Sequence, residues 1–576
     1  MKKNCLALLI GAILPLCSMA QNVVYPIDRA TMMEGSKFDF KVEFDEVIKP
    51  EQAKILINGK DFKELLGNNV EFVEKEDGKD VSALWVRDTS IAQAGDYKVD
   101  VTVNGKQTEV NWSVYATPDV RKAKNVILFI GDGLSVAHRT GARLLSKGIN
   151  EGKATGRLAM DTLPYMGLIG TSSTDSIATD SANTASAYMA GHKSAVNALG
   201  VYASRSEDNF NHPKQETIGE LLKRRTKMSV GIVSDAELQD ATPAAVVAHT
   251  RRRAEKAAIT EMLYNVGPDV MLGGGSAYFL PKSTPGSKRK DDKNFLEAFQ
   301  NAGYQLVTNA TELNAVDSTK TQKLLGLFHT GNLNSVLDRR FLQNDTTKKF
   351  PDQPDLTEMT KVALDVLSKN KEGFFLMVES ALIDKASHPL DWERAFASTI
   401  MLDQSVEIAK EFAKTHPDTL VIVTGDHTHG ISIIGTVDDD KQGDMREKVG
   451  TYQNAGWTNY TDENKDGYPD RWDVSKRLAV FFASFPDYYE TFRPKLERQF
   501  VPAIKTEKGD YIANEEYKSV EGAMFREGNL PRSADTGVHA VDDMLIQAQG
   551  PGAEAIHGYM ENSDLFKVIV DTLAVK

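Results

Sequence analysis

The sequence predicts an α/β fold, a doubly wound mixed sheet with helices on both faces, preceded by a small all-β sandwich. Apolar runs without alternation recur along the chain, as expected of central strands buried on both faces, and helical segments lie between them. Several of these runs end on an acidic residue, Asp132, Glu379 or Asp426, at the strand ends where such sheets bind ligands. Ahead of Ala116 the pattern is different: short alternating strands separated by turns.

At 576 residues the chain is long enough for two or more units. Its hydrophobic share of 41% and charged share of 26% are globular values. A net charge of -13 speaks against nucleic acid as the main partner. A protein of this charge that acts on anions must gather positive charge locally, through metals or a few Arg and Lys. Residues 1–20 read as an export signal, with Lys2-Lys3, an apolar run from Leu6 to Leu16, and Ser18-Met19-Ala20 as the cleavage site. That run is too short to span a bilayer and no later stretch is long enough. An exported chain, periplasmic or extracellular, without a transmembrane anchor is expected. Both cysteines, Cys5 and Cys17, fall within the signal, so no disulfide is expected after cleavage.

Residues 21–117 form the expected β unit. Phe38 to Phe44 alternates strictly, as a half-buried strand should, and Ile55 to Ile57 runs into a turn at Asn58-Gly59. Gly95 to Val110 is a hairpin around Asn104-Gly105. With Tyr97 placed like a tyrosine corner, the unit resembles an immunoglobulin-like sandwich. It carries no cluster of His, Asp or Ser, so a spacer or docking role, dispensable to the chemistry, is expected of it. Ala116-Thr117-Pro118 reads as the linker, and 118–576 as the second unit. Its apolar runs are Asn125 to Gly131, Ser229 to Val233, Val270 to Leu272, Phe374 to Val378, Leu420 to Val423, Ala479 to Ala483 and Met544 to Gln547. Helices are expected over Thr217 to Arg225, Leu356 to Lys369 and Asp391 to Lys414, and a polar insertion over about 436–530.

The chemistry centres on Ala178 to Gly191. Small residues from Ser181 to Ala190 permit a helix, with Thr179 or Asp180 as its N-cap. Ser181 then sits in the first turn, where free N–H groups and the helix dipole favour an anion. Asp384 and His388 are four apart, so one helical turn puts both on one face as a metal pair. Asp426-His427, with His429 nearby, follows the strand from Leu420, and His539 precedes the run at Met544. Carboxylate with imidazole suits zinc; carboxylate, hydroxyl and water suit magnesium.

These motifs, in this order, resemble the alkaline phosphatases, and the resemblance runs from about Lys124 to the end of the chain. It implies hydrolysis of phosphate monoesters through a phosphoserine on Ser181, with two zinc ions and one magnesium. Arg253 falls where the family clamps phosphate, and a guanidinium fork matches two phosphate oxygens. The resemblance gives one zinc to Asp384, His388 and His539, and the other to Asp426, His427 and Asp132. Asp132 also reaches the magnesium, with Thr242 and Glu379. Asp240 and Lys385 match the surrounding shell of the bacterial type, and His429 is placed to orient a zinc ligand. The chain departs from the family pattern at Ala178 and Asn183, which flank the Asp-Ser pair at positions the family fills differently. The resemblance leaves a homodimer open. A phosphodiesterase or sulfatase of the same superfamily, and a non-catalytic secreted metal-binding protein, remain the alternatives; Arg253 speaks against a diesterase.

One further site is expected inside the insertion. Asp462, Asn464 and Asp466 stand at positions 1, 3 and 5 of an EF-hand-type loop, with Gly467 at the turn. Tyr468 offers a carbonyl, and Asp470 and Asp473 complete a calcium set that would rigidify the insertion without joining the chemistry.

Overall fold

The strand Asn125–Gly131, wholly buried, lies near the middle of a ten-stranded sheet. The computed structural model describes residues 22–576, so the export signal expected over 1–20 lies outside the described residues. From one edge the sheet runs Gln305–Val307, Leu324–Leu327, Val270–Gly274, Ser229–Glu237, Phe374–Ser380, Asn125–Gly131, Thr419–Gly425, Met544–Gln549, Tyr165–Gly170 and Gly558–Glu561. Most neighbours are parallel, and Met544–Gln549 is antiparallel to both strands beside it. The mixed, doubly wound sheet expected from the sequence is therefore present.

The lack of alternation in the central strand has a direct cause. Val126, Leu128 and Ile130 join the core on one face, and Ile127 and Phe129 join the core on the other. Helices Ser181–Ala190, Ile218–Arg225 and Asp564–Leu573 cover the first face. Helices Val136–Lys147, Leu356–Leu367 and Trp392–Thr415 cover the second. Because the strands are parallel, Gly131, Ser380 and Gly425 end at one level. Asp132, Glu379 and Asp426 are thereby brought to one end of the sheet.

One expected central strand lies elsewhere. The run Ala479 to Ala483 falls in Lys476–Phe482, which pairs with Ile431–Asp438 in a separate three-stranded sheet. Leu478 and Val480 pack on the second core while Phe481 and Phe482 are half-buried. A short apolar run carries no information about which sheet it joins. Among the described residues, no helix is long and apolar enough to cross a membrane.

The N-terminal residues form two facing sheets. One has the order Val23–Tyr25, Phe38–Glu43, Ala83–Thr89, Val70–Val73; the other Ala30–Met33, Lys106–Tyr115, Gly95–Val103, Ala53–Ile57, Lys60–Asp61. They share one core, in which Phe40 meets the Trp112 ring edge-on at 6.0 Å. The Tyr97 hydroxyl donates to the Gln93 carbonyl at 2.8 Å, pinning the turn just before its strand. The alternation at Phe38 does not produce a half-buried strand, however. All six residues of Phe38–Glu43 are buried, Lys41 fully. The polar side, Asp39, Lys41 and Glu43, is covered by residues around 203–216 of the larger unit.

Candidate metal centre and active site

The helix Ser181–Ala190 begins as the sequence suggests. Asp180 accepts from the Asn183 N–H at 3.1 Å, and Asn183 Oδ1 accepts from the Asp180 N–H at 2.9 Å. Asn183, one of the two departures from the family pattern, thus completes a capping box. Its Oδ1 also accepts from the Thr179 hydroxyl at 2.7 Å. All ten helix residues are buried, because Ala and Ser let the helix pack closely. Ser181 Oγ lies 3.4 Å from each carboxylate oxygen of Asp132 and 3.3 Å from His427 Nε2.

Two groups of metal-ligating side chains stand beside this hydroxyl. In one, Asp384 lies in the first turn of the short helix Leu382–Ser387 and His388 caps its C-terminus. His388 Nε2 lies 3.2 Å from Asp384 Oδ1, and His539 Nε2 lies 3.5 Å from it. The two imidazole nitrogens are 3.2 Å apart. Each ring donates its other N–H to a backbone carbonyl, His388 to Gly537 at 2.7 Å and His539 to Thr179 at 2.8 Å. Those bonds fix the tautomer and leave Nε2 a lone pair for a cation. His429 comes closer still, its Nε2 2.7 Å from Asp384 Oδ1. Gly133, at φ +72°, keeps room for that ring: a Cβ there would stand 2.7 Å from His429 Cδ2.

In the second group, His427 Nε2 is 3.0 Å from Asp132 Oδ1 and 3.6 Å from Asp426 Oδ2. Asp426 Oδ1 accepts from the Gly133 and His427 N–H groups, at 3.0 and 2.9 Å. Asp426 Oδ2, His427 Nδ1 and Thr242 Oγ1 are buried with no partner. Buried polar atoms are nearly always bonded. Orphans of this kind, among carboxylates and imidazoles, fit a cation-binding site. Glu379 accepts from the Ser234 hydroxyl at 2.5 Å. Burial, then the Asp132 carboxylate, pushes Glu379 well above the usual carboxylate range, and the same two causes raise Asp426. Cations would relieve this repulsion.

Positive side chains face the cluster. Arg253 reaches Asp180 at 3.2 Å and Asp240 at 2.8 Å. Lys385 Nζ lies 3.2 Å from Asp240, 3.5 Å from Asp384 and 4.0 Å from Asp132. Burial alone would raise Asp240, but Lys385 and Arg253 hold it well below its ordinary value. Burial would likewise lower His388, and Asp384 overrides it, raising the ring to about 9. His429, where burial dominates, falls to about 4.

Sequence reasoning missed three contributors. Asp180 is a partner of Arg253 as well as a cap. Asp235 accepts from the N–H groups of Ala381 and Leu382 at 2.6 and 3.2 Å, holding the turn after Glu379. Ser234-Asp235 follows an apolar run just as Asp132 does, so the same cue could have found it. Asn197, which accepts the Arg253 N–H at 2.9 Å, carries no such cue.

The 462–473 loop is folded on its own backbone. Asp462 accepts from the N–H groups of Asp466 and Gly467 at 3.1 and 3.0 Å, and Gly467 has φ +88°. Asp470 accepts from the Glu463 N–H at 2.9 Å, and Asp473 is exposed. Among the described residues, the carboxylates and imidazoles that gather closely enough for a metal are Asp384 with His427, His429 and His539, and Asp132 with Asp426 and His427; His388, expected as a ligand beside Asp384, is in neither group.

Comparison with known proteins agrees with this geometry. The sequence profile of the alkaline phosphatase family matches residues 123–575. The chain is 38% identical over 352 residues to the alkaline phosphatase of Escherichia coli (strain K12), covering 54% of this chain and 72% of that protein. It is 33% identical to the mouse (Mus musculus) tissue-nonspecific isozyme, over 77% of this chain and 82% of the relative. The Thermus thermophilus alkaline phosphatase structure superposes with a TM-score of 0.56 at 22% identity, over 80% of this chain and 93% of that one. The structure of alkaline phosphatase from the Antarctic bacterium TAB5 gives 0.54 at 20% identity, over 80% and 100%. The chain belongs to the alkaline phosphatase family and is a phosphoric monoester hydrolase.

Proposed function

We propose that Ser181 is the nucleophile of this hydrolase. The supporting observation is its place: a hydroxyl in the first turn of a helix, 3.3–3.4 Å from Asp132 and His427. Two zinc ions, one on Asp384, His388 and His539 and one on Asp132, Asp426 and His427, with a magnesium on Asp132, Thr242 and Glu379, would supply the Lewis acidity that activates the hydroxyl and stabilises the departing oxygen. The helix N-terminus draws the phosphate dianion to Ser181. Arg253, kept in orientation by Asp180 and Asp240, turns its fork to two non-transferring oxygens. Lys385, which shares Asp240 with Arg253, adds positive charge. Ser181 Oγ forms a bond to phosphorus as the ester oxygen leaves and takes a proton as alcohol. Water then cleaves the phosphoserine, releasing inorganic phosphate and restoring the hydroxyl.

Labelled inorganic phosphate, followed by acid quench and peptide mapping, tests this. Label on the peptide carrying Ser181 is expected. Label on another residue, or none during turnover, would remove the assignment.

Finer readings accompany it. Residues 21–117 are taken as an immunoglobulin-like unit and 118–576 as the catalytic unit, with an insertion at about 436–530, in an exported, periplasmic or extracellular protein. The calcium reading of the 462–473 loop rests on the spacing of Asp462, Asn464, Asp466, Tyr468, Asp470 and Asp473 and on the positive φ of Gly467.

A further inference from the structure

The 192–216 segment lies between the sandwich and the active site. On the sandwich side, Phe38 forms a bridge with Gln215, and the Asp39 N–H donates to the Lys214 carbonyl at 2.9 Å. Arg205 is the main anchor. Its backbone N–H donates to Glu43 at 2.9 Å, its Nε to Glu76 at 2.7 Å, and its terminal nitrogens to the carbonyls of Phe44 and Ser82. On the other side, Val201 bridges Lys214 and Leu199 bridges Thr250. Asn197 then makes two bonds to the site itself. Its carbonyl accepts the Arg253 N–H at 2.9 Å, and its own N–H donates to Asp180 Oδ2 at 3.1 Å. That same oxygen meets the Arg253 guanidinium at 3.2 Å. Asn197 sits at φ +68°, in the left-handed region that asparagine enters more readily than most residues.

We propose that the N-terminal sandwich is a working part of the phosphate clamp. Through Arg205 it holds the 192–216 segment, and so Asn197, where that residue sets both Asp180 and Arg253. This rests on the assignment of Arg253 to the phosphate oxygens. A guanidinium fork matches two oxygens in one orientation only, so a small displacement of its backbone weakens the match. Surface connections are ordinarily mobile; this one is tied down by Arg205, whose partners Glu43 and Glu76 are themselves held by buried Lys41 at 2.6 and 2.7 Å. Arg205 is a positioning residue, since none of its hydrogen bonds reaches a metal-ligating side chain.

The test compares KM, kcat, inhibition by inorganic phosphate and bound metal in full-length Arg205→Ala, Arg253→Ala and the double variant. In Arg205→Ala, KM and the phosphate inhibition constant should rise together by about 3- to 10-fold, with a smaller change in kcat and unchanged metal content. Added to Arg253→Ala, the same change should have no further effect on KM. Arg205→Lys keeps the charge beside Glu43 and Glu76, so it preserves the fold if the alanine variant does not; it should raise KM by a smaller factor. Unchanged KM in the Arg205 variants, or an equal rise in both backgrounds, overturns the proposal. Arg253→Ala with KM and phosphate inhibition both unchanged would defeat the Arg253 assignment itself, and the proposal with it.

Discussion

At the sandwich junction Lys41 is fully buried, with Glu43 at 2.6 Å and Glu76 at 2.7 Å, the latter an ion pair off the hydrogen-bond geometry. At the strand ends Asp426, His427 and Thr242 are just as deep, yet each keeps an atom with no partner. Carboxylates crowd there as well: burial and the Asp132 carboxylate raise the proton affinity of both Glu379 and Asp426. Burying charge is costly unless it is paired and bonded. The junction pairs its buried charges with its own side chains, although Glu76 Oε1, His212 Nε2 and the Gln215 amide lack hydrogen-bond partners, so it is architecture. The strand ends meet that requirement only with something added, so they are a site.

The comparison can be broken first at the nucleophile. Ser181→Ala should lower monoester turnover by at least about 10³-fold while circular dichroism and Tm stay near those of the parent. Near-normal turnover would show that Ser181 lies beside the chemistry and not in it. Chelation should come next in size. Dialysis against a chelator should abolish most activity and lower Tm, and zinc with magnesium should restore both. The buried charge of Lys41 is paired by Glu43 and Glu76 within the sandwich itself, so protection of the amides at 38–43 in hydrogen exchange should persist in the metal-free protein. Loss of that protection would mean the two regions are not separately held.

On the proposed assignment, Arg253→Ala would remove two charge-assisted hydrogen bonds to phosphate, about 1.5–3 kcal/mol each. The preference for monoesters over diesters should narrow, as read from the ratio of kcat/KM values. Equal losses on both substrates would show that Arg253 does not read the extra oxygen of a monoester. Gly200→Ala probes the junction without touching charge. Gly200 has φ +58°, and a Cβ there would stand 2.3 Å from the Ala248 carbonyl oxygen. The strain should cost about 1–3 kcal/mol, seen as a lower denaturant midpoint. The smallest effect is expected at the insertion: calcium should raise Tm slightly, and Asp462→Ala should remove that increment while turnover is unchanged.

Local cues made much of the site legible. The Asp180 cap, the small residues after Ser181, the four-residue step from Asp384 to His388 and the acids closing apolar runs are all short-range patterns. What was not legible is long-range. The alternation at Phe38 marks two chemically different faces, but Lys214 and Arg205, which cover the polar one, lie far along the chain. Ala479 to Ala483 is apolar enough for the central sheet and joins a peripheral one, because pairing is decided by neighbours. Asn197 has a polar side chain with no local cue, and it matters through its backbone.

The central strand Asn125–Gly131 also constrains the order of events during synthesis. It is made early in the larger unit, yet its two neighbours are Phe374–Ser380 and Thr419–Gly425. Until those are translated, a largely apolar strand has no partner on either edge. The sheet therefore cannot condense progressively from the first strand outward as the chain emerges. Non-local pairing of this kind slows folding and leaves sticky intermediates. The sandwich, whose strands pair among themselves within a short span of sequence, is free to fold long before.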